Sequence, residues 1–262
     1  MQFDSYQRLL FERRENGVLL ITINRPEKHN AADSAMLAEF TRVWKDVAAD
    51  EATRAVVITG AGRAFSAGGD LSEEIDKLDD FPSVVKTLEE ARGLVAGMVE
   101  CDKPVVSAIN GAAAGAGLAI ALLSDISIIG EDVAFTDGHV KIGLAAGDHS
   151  VIIWPLLCGM AKAKYLLLTA DRIDGREAER IGLVSKAVPR EEVLTEALRI
   201  ADQLARSPRY AVQWTKHALN NWLRLAMPSF EASLGLEMLT FFSPDAKEGM
   251  SAFLERRHAQ FE

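Results

Sequence analysis

Residues 54–70 read Arg54-Ala55-Val56-Val57-Ile58-Thr59-Gly60-Ala61-Gly62-Arg63-Ala64-Phe65-Ser66-Ala67-Gly68-Gly69-Asp70, a β-branched run that ends in a loop of glycine and alanine. Val, Ile and Thr are stiff at χ1 and fit a pleated surface, so residues 54–60 predict a strand. The small residues that follow let the backbone approach a ligand closely, although such a loop by itself also reads as an ordinary strand-to-helix turn. A second instance shifts that balance. Residues 104–109 (PVVSAI) predict another strand, followed by Asn110-Gly111-Ala112-Ala113-Ala114-Gly115-Ala116-Gly117-Leu118-Ala119 and a helix that stays apolar to Leu123. Two such loops on neighbouring strands can each turn one N–H towards a single oxygen, an arrangement suited to a thioester carbonyl becoming an enolate. Their spacing matches neither G-x-G-x-x-G nor a Walker A loop, which argues against nucleotide phosphates.

Working outward, residues 18–24 (VLLITIN) and 125–130 (DISIIG) also predict strands, and helical spacing predicts helices over 34–49 and 83–99. Asp33 or Ser34 can cap the first of these. Strands alternating with helices imply parallel pairing through helical crossovers, hence an α/β fold. After Val188 only helices are predicted, over 191–206, 208–225, 228–242 and 244–257, three of them starting at a proline. We place a boundary near Ser207, giving a core of residues 1–206 and a helical region of residues 207–262.

The bulk chemistry narrows the function classes. A chain of 262 residues with 48% hydrophobic content can fill a sizeable core. A net charge of -9, with no basic run, opposes nucleic-acid binding. The two cysteines, Cys101 and Cys158, have no metal-ligand spacing, so no metal site or disulfide framework is expected and a reducing, cytoplasmic setting fits. Residues 1–16 lack the apolar stretch and cleavage site of a signal peptide, and no uninterrupted apolar run suggests a membrane span.

The ordered set of motifs resembles the crotonase, or enoyl-CoA hydratase/isomerase, superfamily. The likeness runs through Asn24-Arg25-Pro26-Glu27-Lys28-His29-Asn30-Ala31, the Ala64–Asp70 loop, residues 110–117, Leu168-Thr169-Ala170 with residues 178–184, and Glu248-Gly249-Met250-Ser251-Ala252-Phe253. The resemblance implies a spiral of ββα units with a helical carboxy-terminal region that builds homotrimers or homohexamers. It implies an acyl-CoA substrate, coenzyme A being part of the thioester and no cofactor being covalently bound. It further implies an oxyanion hole from the backbone N–H groups of Gly69 and Ala116. Arg25 and Lys28 would lie near the coenzyme A phosphates, Ala67 and Gly68 against the coenzyme, and Phe253 and Arg256 against a coenzyme A, in a neighbouring subunit.

Hydratases of this family use two glutamates to activate water and manage the α-proton. By position, the first falls on Ala119 and the second on His139. A methyl group transfers no proton, so ordinary hydration is not expected. His139 and Asp148 stand nine residues apart instead, and the expected arrangement is an imidazole base whose tautomer is held by the carboxylate. Phe135, Asp137, Gly138, His139, Asp148, Val151, Trp154 and Pro155 together resemble the β-diketone hydrolase (6-oxocamphor hydrolase-like) branch, which implies retro-Claisen C–C cleavage. Gly143-Leu144-Ala145-Ala146 resembles the dienoyl-CoA isomerases, so proton shuttling by the same pair is the first alternative, with weak hydration beside it. A non-catalytic acyl-CoA-binding homologue is the second, and an RNA-binding member the third, disfavoured by charge. His29 and His149 carry no expected role, and Glu73, Glu74, Glu89 and Glu90 read as helix-surface charges.

Overall fold

The computed structural model describes residues 3–261. Its strands are β1 (Leu9–Arg13), β2 (Val18–Ile23), β3 (Ala55–Gly60), β4 (Ala64–Ser66), β5 (Val105–Ile109), β6 (Ala112–Ala113), β7 (Ile126–Gly130) and β8 (Lys186–Val188). Its helices are α1 (Ser34–Ala49), α2 (Leu71–Glu74), α3 (Phe81–Glu100), α4 (Gly115–Leu123), α5 (Ser150–Thr169), α6 (Gly175–Arg180), α7 (Val193–Arg206), α8 (Arg209–Leu219), α9 (Asn221–Thr240) and α10 (Pro244–Glu255).

The main sheet has the order β1-β2-β3-β5-β7-β8, antiparallel only between β1 and β2. This is the α/β crotonase fold with its ββα units. Period-two alternation explains why the sheet is covered on both faces. Leu19, Ile21 and Ile23 join the large core with α1 and α3, whereas Val18, Leu20, Val57 and Val106 face α7. Helix α7 meets them with Val193, Ala197, Ala201 and Ala205, one small residue per turn. Asp33 caps α1, its carboxylate accepting from the Met36 N–H at 2.9 Å.

A two-stranded parallel sheet of β4 and β6 escapes the sequence reading, because segments of three and two residues carry no measurable period. The carboxy-terminal helices also divide differently. The stretch 208–225 is cut at Asn220, and α9 runs straight through Pro228, which begins no helix. Helix α5 is the one described helix long and apolar enough to cross a membrane, with a mean hydropathy of 1.6. Gly159, at φ 78° and ψ 154°, breaks it into two pieces of roughly 15 Å, about half a hydrocarbon core. Its inner face packs on α4 and α9.

Candidate active site

Strands β4 and β6 hold the two glycine loops side by side. The Ala114 N–H donates to the Ser66 carbonyl at 3.0 Å, and Gly68 packs so tightly that a Cβ there would lie 2.9 Å from the Ala114 carbonyl oxygen. Gly68 also has φ +85°, a conformation that disfavours side chains. A Cβ on Gly115 would lie 3.9 Å from the Gly69 nitrogen, so the loops meet at the start of α4. Among the described residues neither the Gly69 nor the Ala116 N–H has a hydrogen-bond partner. Both residues line a cavity of about 360 Å³, beside the amino terminus of α4.

The Asn24–Ala31 turn braces the first loop from outside. Asn30, fully buried at φ +57°, donates through Nδ2 to the carbonyls of Ala61 at 2.9 Å and Ala64 at 2.8 Å. Arg25 donates to Asp70 at 2.7 Å and to the Ala31 carbonyl at 3.0 Å, and its side chain is only 13% exposed. The charge of Arg25 is thus paired with Asp70 and Asp33. Lys28 and Arg256 are exposed and do not line the cavity, whereas Ala67, Gly68 and the exposed ring of Phe253 do.

His139 and Asp148 reach the same cavity from the other side, both buried. Their relation differs from the expected one. Asp137, not Asp148, holds the imidazole tautomer, its Oδ1 lying 2.8 Å from His139 Nδ1. Asp137 Oδ2 accepts from the Ser150 hydroxyl, which in turn lies 3.5 Å from His149 Nε2. His149 Nδ1 is 2.6 Å from Asp148 Oδ1, and Asp148 Oδ2 faces His139 Nε2 at 3.9 Å. The five side chains form a closed buried ring, and Asp148 caps no helix because its oxygens serve this ring.

Glu237, from the last turn of α9, completes the group. Its Oε1 lies 3.8 Å from His139 Nε2, and its Oε2 accepts from the Gly147 N–H at 3.2 Å. Burial raises the Glu237 carboxyl well above the ordinary carboxylate range. Burial opposes a charged imidazole at His139, but Asp137, Asp148 and Glu237 together raise it well above the usual histidine value. Burial likewise opposes charge on Asp148, yet His149 and His139 hold it below its ordinary range. The facing atoms of His139, Asp148 and Glu237 lie within 4.8 Å of one another, a spacing a divalent cation could bridge. Protons on the imidazole and on Glu237 neutralise the same charges without one.

Sequence reasoning missed Asp137 as the orienting partner, gave His149 no role, and did not single out Ser150 or Glu237. Asp137 was signalled by standing two residues before His139. Glu237 was signalled only as a lone carboxylate inside the apolar stretch Leu234-Gly235-Leu236-Glu237-Met238-Leu239. Glu74 and Glu90 are also not surface charges, since both line the cavity.

The enoyl-CoA hydratase/isomerase pattern matches residues 13–262, and the chain belongs to that family. It is 36% identical to a probable enoyl-CoA hydratase of Rhodobacter capsulatus, over 98% of each chain. Among solved structures, an enoyl-CoA hydratase/isomerase from Mycobacterium paratuberculosis superposes with a TM-score of 0.90 at 34% identity, over 95% of this chain and 99% of that one. A β-diketone hydrolase from the cyanobacterium Anabaena, bound to (S)-3-oxocyclohexyl acetic acid, superposes with a TM-score of 0.84 at 28% identity, over 92% and 96%. The chain is therefore a crotonase-superfamily enzyme of the acyl-CoA hydratase/isomerase class.

Proposed function

We propose that this enzyme cleaves a C–C bond of a β-oxoacyl-CoA by hydrolysis. The observation that carries the reading is the imidazole of His139 lining the cavity, anchored through Nδ1 by Asp137, with Nε2 hydrogen-bonded to neither Asp148 nor Glu237, which face it at 3.9 and 3.8 Å. The likeness to the Anabaena β-diketone hydrolase supports the same chemistry. Ala119 lines the cavity without a proton to give, which counts against hydration.

His139 Nε2 takes a proton from water, whose oxygen attacks the β-carbonyl carbon. The tetrahedral alkoxide re-forms C=O as the Cα–Cβ bond breaks, and the bonding pair moves into a thioester enolate. The N–H groups of Gly69 and Ala116 hold the enolate oxygen. Glu237, kept protonated by burial, delivers a proton to the α-carbon and is recharged from His139 across 3.8 Å. Asp148 remains ionised and stabilises the imidazolium. The products are a carboxylic acid, which releases its proton to solvent as the carboxylate, and an acyl-CoA, joined in one molecule when the ketone is in a ring. Trp214, Trp222, Leu225 and Leu239 form part of an exposed apolar face of α8 and α9, and we assign that face to self-association as a trimer or hexamer.

The test is product analysis by mass spectrometry on crotonyl-CoA, a 3,5-dienoyl-CoA and 2-oxocyclohexanecarboxyl-CoA, with His139→Ala beside the parent. Ring opening that depends on His139 supports the reading. A double-bond shift without water uptake would favour the isomerase alternative, and binding without turnover a silent homologue.

A further inference from the structure

His149 and Ser150 are completely buried, yet neither handles a proton in the cleavage proposed above. Of the closed ring only His139 and Asp148 line the cavity, and Asp137, His149 and Ser150 lie behind them. Burying five polar side chains is costly unless each finds partners, and a satisfied network is rigid in return. Asp148, His149 and Ser150 follow one another directly at the start of α5. His149 is the residue before the helix, where Ser, Thr, Asp or Asn would cap the first N–H groups, and its side chain makes no such bond. It serves the ring instead. Ser150, His149 and Asp148 have the connectivity of a nucleophilic triad, but the geometry opposes that use. The Ser150 hydroxyl donates to Asp137 Oδ2 and not to His149 Nε2, 3.5 Å away, and the side chain is shut off from the cavity.

Each aspartate divides its oxygens between an inner and an outer partner. Asp137 Oδ1 accepts from the His139 backbone N–H at 3.2 Å and lies 2.8 Å from its Nδ1, while Oδ2 accepts from Ser150. Asp148 Oδ1 lies 2.6 Å from His149 Nδ1, and Oδ2 is turned towards His139 Nε2 at 3.9 Å. The terminal torsion of an aspartate is otherwise broad, so a carboxylate held at one oxygen has its other oxygen aimed. We infer that Ser150 and His149 are positioning residues: Ser150 acts through Asp137, and His149 through Asp148, to hold the two carboxylates that flank the His139 ring. The base then meets its substrate in one orientation, without reorganisation at the moment of proton transfer. This rests on the reading of His139 as the base.

Proton NMR tests the ring without any turnover. His29, His217 and His258 are exposed, so His139 and His149 are the histidines whose ring N–H protons are shielded from exchange with water. The parent should show at least two slowly exchanging imidazole N–H signals, moved downfield by their carboxylate partners, and His139→Ala and His149→Asn should each remove the signal of its own ring. Ser150→Ala should shift the His139 signal, and Ser150→Thr, which keeps the hydroxyl, should restore it. If Ser150→Ala does not fold, Ser150→Cys, of similar size but a weaker donor, takes its place. On whichever CoA ester the parent turns over, Ser150→Ala and His149→Leu should each lower kcat about tenfold at unchanged KM, the scale on which outer partners of functional histidines act. Ser150→Thr and His149→Asn, which keep a donor, should recover most of that loss. A merely structural role would lower Tm and leave kcat and the His139 signal of the folded enzyme unmoved. Fewer than two protected signals in the parent overturn the ring, and no variant needs to fold for that result. Parental kcat with an unmoved His139 signal in Ser150→Ala overturns the positioning role. If no ester is turned over, the proposed cleavage falls, while the NMR signals still decide whether the ring is held.

Discussion

The chemistry of His139 is set by three carboxyl groups around one imidazole. Asp137 fixes the ring through Nδ1 at 2.8 Å, while Asp148 and Glu237 face Nε2 at 3.9 and 3.8 Å. Because the negative charges of Asp137 and Asp148 outweigh burial and raise the imidazole above its usual value, the free base forms only as pH rises through the raised value. The turnover rate should accordingly increase with pH, with its rising limb above the ordinary histidine range. Asp148→Asn removes one of the charges that favour the imidazolium, so the limb should move to lower pH while kcat falls about 100-fold, checked by a pH–rate profile. A parallel titration of acyl-CoA binding should show little change, since Asp148 acts on the base. His139 and Asp148 were legible because the family likeness fixes their slots nine residues apart. The anchoring by Asp137 was not, because two carboxylates near a histidine leave the choice of partner to side-chain rotamers, which no sequence pattern records. Nor was Glu237, which lies 98 residues along from His139 and joins it only through tertiary packing.

At the scale of elements, the pairing of β4 with β6 decides where the two free N–H groups lie. Glycine, alanine and β-branched residues made the two strand-loop units readable, but the short strands that clamp them together gave no period to read. Gly68 is the most exacting position, because its φ is +85° and the Ala114 carbonyl leaves no room for a methyl group. Gly68→Ala should cost about 1–2 kcal/mol from the backbone conformation alone, visible as a lower Tm, and should depress kcat through a displaced Gly69 N–H. Helix α9 matters equally, since it carries Glu237 into the cavity from the carboxy-terminal region. Glu237→Gln keeps its acceptor for the Gly147 N–H but cannot release a proton, so the fold should persist while kcat drops about 100-fold.

For the whole molecule, the alternation of strand and helix made the parallel pairing and its helical crossovers legible in the sequence, whereas the exposed side of the carboxy-terminal helices was readable only in outline. Tyr210, Trp214, Trp222 and Leu225 are each more than half exposed, more apolar surface than a monomer leaves to water without cause. Sedimentation equilibrium should give three or six times the 28.5 kDa chain mass, and Trp214→Glu with Leu225→Glu should lower it. The fold, the paired loops and the His139 ring converge on a single event, the addition of water to a ketone followed by C–C rupture. Its most direct test is turnover of 2-oxocyclohexanecarboxyl-CoA in oxygen-18 water, followed by mass spectrometry. The account predicts a ring-opened acid thioester, heavier than the substrate by one labelled water, with the label in the new carboxylate and none formed by His139→Ala. A product of unchanged mass, or label retained at full rate by His139→Ala, would contradict it.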